Sequence, residues 1–326
     1  MTSGTPNGRP TSKTTWPADE ADGAPAVIVV LSGPSARIRA NSLGLAMSLT
    51  LGSQGESLLF VDADISGSRL AERYGEATRH EFSPVERGLP SIMVARSDLD
   101  AALLTQHCYS LDVEVGSLWA LFGPASSKGG RVAARWLGER ARELEGIDRD
   151  RTVVLAAPLL ISGSPLEPLL KSAYVVVVTA SIASESDARL LGRECRAAGM
   201  LGFERYQRLL VVEEPCPYSD DEVFELAGLR VAHRLKAIED MTLLRRQGSR
   251  RDKATLSGID ELATRLSALR EMCIADATGG DNEVTAAAAA RTGGRSSPGE
   301  PESGPQAPQQ PLDAAVAPIA ATGGRA

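Results

Sequence analysis

The sequence predicts an α/β fold: a doubly wound, mostly parallel sheet with helices on both faces. Three observations predict it. Short apolar runs alternate with helical stretches along the middle of the chain. Several of those runs are unbroken Val and Leu, the pattern of strands covered on both faces. The first run, Val27–Leu31, enters a loop at Ser32-Gly33; a helix-compatible segment leaves it near Ala40, and a second run ends in Asp62-Ala63-Asp64. Strand, loop, helix and a second parallel strand with carboxylates at its carboxyl end is the layout of a nucleotide-binding βαβ unit.

In chain order, Val27–Leu31 and Leu58–Asp62 are the first two strands, joined by a helix over Asn41–Leu51. Val113–Leu121 is a third strand, followed by a helix over Val132–Glu145. Thr152–Ala156 and Ala173–Thr179 are short, strongly apolar strands; a helix over Glu185–Ala198 leads to Arg208–Val212. A helix over Asp220–Ala227, a strand over Arg230–Leu235 and a helix over Ile238–Arg246 follow. The last helix, Leu256–Cys273, sets Leu256, Ile259, Ala263, Leu266, Leu269 and Cys273 on one face at three-and-four spacing. A partner or membrane could take that stripe, but a helix docked on its own sheet is the commoner use, and no strongly basic face accompanies it.

Residues 25–276 read as one domain, because no break in composition interrupts them. Residues 1–24, rich in Ser, Thr, Pro and Gly, and residues 277–326, Ala/Gly/Pro-rich, read as disordered tails. Neither has the apolar pattern needed to offset an ordering entropy of roughly 1–2 kcal/mol per residue. The whole chain is of ordinary globular composition, 43% hydrophobic and 24% charged. Aromatics make up only 4%, so aliphatic side chains must build the core. A net charge of −7 argues against bulk nucleic-acid binding. Cys108, Cys195, Cys216 and Cys273 form no close pair, which points to reduced thiols rather than a disulfide framework or zinc site. No apolar run reaches the roughly 18 residues of a membrane span, and the polar N-terminus lacks a signal peptide's apolar core. The expected location is the cytoplasm. His80, His107 and His233 are far apart, and no metal set emerges.

The loop after the first strand departs from a phosphate cradle. Such a loop uses glycines so that backbone N–H groups close on phosphate, a Lys for its charge and Ser/Thr for Mg²⁺. Here Gly33 is followed by Pro34, which has no N–H; Ile38 stands at a Gly position, and Arg39 or Ala40 where Lys is expected.

Beyond the loop, Leu58–Leu70, with its V-D-A-D, resembles the second strand and switch region of the MinD/ParA family, the deviant-Walker P-loop ATPases. Asp98–Leu103 is similar to that family's helix after the switch, Arg151–Leu166 to its third core strand, Ala173–Glu185 to the next, and Tyr218–Leu235 to its closing segment in CpaE-like, actinobacterial-type members. Their collinear order over about Ala26–Met272 carries the resemblance, which implies a P-loop NTPase-like fold. It also implies where the site has changed. The family's signature Lys aligns with Pro34, its second Lys with Arg39, and its Ser/Thr pair with Ala40 and Asn41. Its third-strand Asp aligns with Ala156 or Ala157, and its base-contacting Asn falls near Glu213.

Two carboxylates cut the other way. The resemblance gives Asp62 and Asp64 catalytic roles, one near Mg²⁺ and one orienting the attacking water; as ordinary structure, both would cap the strand end and loop. Arg37 and Arg39 could meet an anion at the helix N-terminus or be solvated. The basic run Arg245, Arg246, Arg250 and Arg251 is a candidate DNA contact, or a solvated loop before a helix. Gly33, Pro34, Arg37, Arg39 and Asn41 thus form a degenerate nucleotide site. The expected function is that of a MinD/ParA-like pseudo-ATPase, a non-hydrolysing positioning or regulatory factor in chromosome partitioning, septum-site determination or pilus and secretion assembly. Protein partners are implied, a homodimer is allowed, nucleic-acid binding is weak or absent, and neither a membrane nor a cofactor is expected. The alternative is an active ATPase using ATP and Mg²⁺, with Arg39 and Asn41 replacing Lys and Thr. A related kinase domain of polysaccharide export is disfavoured, since the last tyrosine is Tyr218 and the tail has no tyrosine cluster.

Overall fold

Unbroken runs of β-branched residues and leucine form the strands, and their alternate side chains fill two separate layers. In a computed structural model, which describes residues 26–95, 99–146, 151–158, 163–198, 207–236 and 256–269, eight strands make one sheet. They are β1 (Ala26–Ser32), β2 (Ser57–Asp62), β3 (Tyr109–Leu111), β4 (Ser117–Leu121), β5 (Thr152–Pro158), β6 (Val175–Ser181), β7 (Gln207–Glu214) and β8 (Val231–Lys236). Their order is β3-β4-β2-β5-β1-β6-β7-β8, parallel throughout except between β3 and β4.

The helices are α1 (Ala40–Ser53), α2 (Leu70–Thr78), α3 (Leu89–Ala95), α4 (Ala101–His107), α5 (Ser127–Glu139), α6 (Ala141–Gly146), α7 (Glu167–Ser172), α8 (Glu185–Ala197) and α9 (Asp220–Ala227), with α10 over 256–269. On one face, Ile28, Val30, Phe60, Val154 and Val177 pack with leucines of α1 and with Leu70, Tyr74, Ile259, Leu262 and Leu266. On the other, Val29, Leu31, Val61, Leu155 and Val178 pack with residues of α3, α5, α8 and α9 such as Ile92, Leu137, Leu191 and Val223. Burying each such side chain contributes about 1.5–3 kcal/mol. This is the doubly wound arrangement, with helices on both faces.

α1 is buried nearly all round because α10 lies over it. The Thr50 hydroxyl meets Asp260 Oδ1 at 3.4 Å, Gln54 Nε2 meets Thr264 Oγ1 at 3.5 Å, and Ser267 donates to Glu56. Of the expected stripe, Ile259, Ala263, Leu266 and Leu269 therefore dock on the chain's own first βα unit, while residues 270–273 of the expected helix, Cys273 among them, lie outside the described residues. The expected helix Ile238–Arg246, the basic run Arg245–Arg251 and both tails lie outside the described residues.

Two expected elements divide. The strand expected over Val113–Leu121 begins only at Ser117, and the chain before it forms β3, a three-residue antiparallel edge. Val113 instead packs partly buried beside α1. The helix expected over Val132–Glu145 breaks at Arg140, whose backbone leaves the helical region and whose guanidinium stacks 4.7 Å from the Trp136 ring. Cys108 and Cys195 are buried free thiols, and burial pushes Cys195 up to about 12. Among the described residues no helix is long and apolar enough to cross a membrane.

Candidate functional site

β1 lies between β5 and β6, so the chain leaves it at the point where successive strands begin to be laid down on opposite sides. In such sheets the crevice beyond the strands' carboxyl ends is the natural ligand site. Here it is an open cleft of about 200 Å³, lined by Ser32 of β1, Ala36, Arg39, Ala40 and Asn41 of the loop and α1, Asp64 and Ser66 after β2, and Ala156 to Pro158 of β5. That is less than the roughly 300 Å³ at the low end of ligand pockets.

The loop is held from three strands. Gly33 N donates to Thr179 O at 2.7 Å, and a Cβ on Gly33 would stand 2.9 Å from that same oxygen, so only glycine lets β1 and β6 approach this closely. The Thr179 hydroxyl donates to Ile38 O at 3.1 Å. Ala40 N, the first amide of α1, donates to Ser32 Oγ at 2.6 Å. Arg37 N and Ile38 N both donate to Glu213 Oε1, at 2.8 and 2.7 Å. Glu213 is fully buried at the end of β7, and Arg37 Nε stands 3.8 Å from its second oxygen.

A second buried network lies behind the cleft. Asp62, Asn41 and Ser68 are all buried. Asn41 Nδ2 donates to Ser68 Oγ at 3.0 Å and reaches Asp62 Oδ1 at 3.5 Å; Ser68 Oγ donates to Asp62 Oδ2, and Gly123 N reaches that oxygen at 3.4 Å. Arg73 completes the set, donating to Asn41 Oδ1 at 3.4 Å and Ser42 Oγ at 3.2 Å. Burial pushes the Asp62 carboxyl up to about 6; the donors from Ser68, Gly123 and Asn41 oppose that rise, and the neighbouring Asp64 charge adds to it.

No protein-family model matches the chain, and no curated protein matches it in sequence. Solved structures match its fold. A ParA family ATPase from Chlorobium tepidum TLS superposes with a TM-score of 0.52 at 15% identity, covering 77% of this chain and 98% of that one. The MinD cell division protein of Aquifex aeolicus superposes with a TM-score of 0.50 at 14% identity, covering 74% and 97%. The fold is that of the ParA and MinD ATPases.

Seen on the ParA/MinD fold, the expected site residues separate. Arg39, Asn41 and Asp64 share the cleft. Asp62 lies behind it, reached through Asn41. Arg37 turns away towards Glu213 and Ser181. Pro34 is exposed at the loop tip, and Gly33 is packed against β6. Ile38, at a glycine position of the loop, does not line the cleft; its side chain is buried in the core with Leu43 and Val211 and anchors the loop from below. Asp64 accepts from Ser66 N at 2.9 Å, the turn-capping use of that residue type. Arg245, Arg246, Arg250 and Arg251 lie outside the described residues. Ser32, Ser68, Arg73 and Thr179 were not expected in the site; for Ser32 and Thr179, polar side chains at the ends of apolar runs were the available signal. Glu213 was expected only as an asparagine's replacement. A carboxylate ending a buried strand has to be paired, and that requirement points to the loop.

Proposed function

We propose that this chain uses the ParA/MinD fold as a non-hydrolysing positioning or regulatory factor, acting through protein contacts in the cytoplasm. The systems such a factor would serve are chromosome partition, division-site placement or pilus and secretion assembly. The observation that carries this reading is the state of Asp62. A magnesium-assisted phosphoryl transfer needs carboxylate and hydroxyl lone pairs free to meet the metal and its waters. Asp62 is fully buried, and its oxygens take donors from Asn41, Ser68 and Gly123. Asn41, at the position of the metal-binding hydroxyl, turns its amide donors towards that carboxylate, and Ala156 and Ala157 offer no further oxygen ligand from their side chains. Pro34 and Arg39 supply no ammonium for the phosphates. These residues do not fit a magnesium triphosphate.

A second reading, an active ATPase using Arg39 and Asn41, draws on the placement of both around one cleft with Asp64. Calorimetric titration of the full chain with ATP–Mg²⁺, beside a phosphate-release assay, separates the two. The first reading expects no binding heat and no turnover above background. Turnover that Asp64→Ala abolishes would replace it with the second.

A further inference from the structure

The geometry points to Glu213 as a built-in occupant of the loop's anion seat: its carboxylate closes the Gly33–Arg39 loop without ligand and excludes phosphate from it. This rests on the non-hydrolysing reading above and adds what holds the site in that state. Two consecutive backbone N–H groups aimed at one oxygen make an anion-binding nest, the device with which phosphate loops grip their ligand. In this chain the nest of Arg37 and Ile38 holds Glu213 Oε1 at 2.8 and 2.7 Å.

The pairing is necessary from both sides. A carboxylate with no solvent exposure must find charge-assisted donors, and the loop amides ahead of α1 provide them at the positive end of that helix. The amides, that of Ile38 buried and that of Arg37 part-buried, would otherwise lack an anion. Ladder register brings the carboxylate there: Glu213 lies opposite Ser181, two residues beyond Thr179, whose hydroxyl and carbonyl hold the two ends of the same loop. Arg37 then covers the second oxygen from the solvent side at 3.8 Å. A phosphate entering this nest would lose the two strongest donors and meet a fixed negative charge in a low-dielectric wall.

Amide hydrogen exchange on the full-length protein, with and without sodium pyrophosphate, tests the assignment. In the wild type, Arg37 and Ile38 amides should be protected and unchanged by pyrophosphate. Glu213→Ala should lower their protection by roughly tenfold or more, since a charge-assisted pair is lost, and pyrophosphate should restore it. Glu213→Gln keeps the shape and removes the charge; it should show the same restoration from a smaller loss, and serves if the alanine variant does not fold. Unchanged protection in both variants would overturn the proposal, because the loop would then close without the carboxylate. Lost protection that pyrophosphate leaves unrestored would also overturn it, reducing Glu213 to a strut. Pyrophosphate protecting the wild-type amides would refute exclusion. Binding of ATP–Mg²⁺ by the wild type with pyrophosphate-insensitive loop amides would instead count against the non-hydrolysing reading alone.

Discussion

Asp62 holds a proton to higher pH in the folded chain than in the unfolded one, and this has a calculable consequence. Its carboxyl titrates at about 6 when folded against 3.8 when exposed. Between those values the folded state binds more protons, so this residue's contribution to stability is full below pH 3.8 and falls as pH rises through about 6. The rise from 3.8 to about 6 corresponds to about 3 kcal/mol. Asp62→Asn should therefore flatten the decline in stability between pH 4 and 6.5, read from urea midpoints across that range. An unchanged pH profile would place the effect on another group. At this scale the sequence was only partly legible. The carboxylate at the strand end could be seen, but the donors that seal it come from Asn41, Ser68 and Gly123, on three other segments. The same holds for Glu213, whose partners lie 175 and 176 positions earlier. Pairing at that distance leaves no periodic trace.

The central strands were legible because β1, β2, β5 and β6 are buried on both faces and show it as continuous apolar runs. The shorter elements were not. β3 spans 3 residues and α7 spans 6, too few for a period to register, and both are defined by neighbours rather than by local preference. Helix starts are a different case, since capping is local chemistry. Ser184 opens α8 and Ser219 opens α9, each accepting from the third backbone amide, while Asp187 and Glu222 reach back to close a capping box. Ser184→Ala and Ser219→Ala should each cost about 1 kcal/mol, measured as additive falls in the urea midpoint of a double variant. The two serines sit at the carboxyl rim beside β6 and β7, so both changes should also raise amide exchange in the first turns of α8 and α9.

Across the whole molecule, the sheet order places one loop at the centre and leaves its tip, at Pro34, exposed to solvent. The resemblance sets a signature lysine at Pro34, and a proline ring supplies no positive charge that could reach a second chain's phosphates. Any association of two copies should then be insensitive to nucleotide, because mass action favours only what binds the associated form better. Light scattering should give the same mass with and without ATP–Mg²⁺; a monomer-to-dimer shift on adding nucleotide would contradict it. The fold also brings together the first and last described segments. α10, drawn from residues 256–269, covers α1, so among the described residues the earliest helix is roofed by the latest. During synthesis, when domains fold as their parts emerge from the ribosome, the leucines of α1 must wait for Ile259, Leu262 and Leu266 to be translated. Vectorial production thus leaves that face of α1 uncovered until α10 emerges.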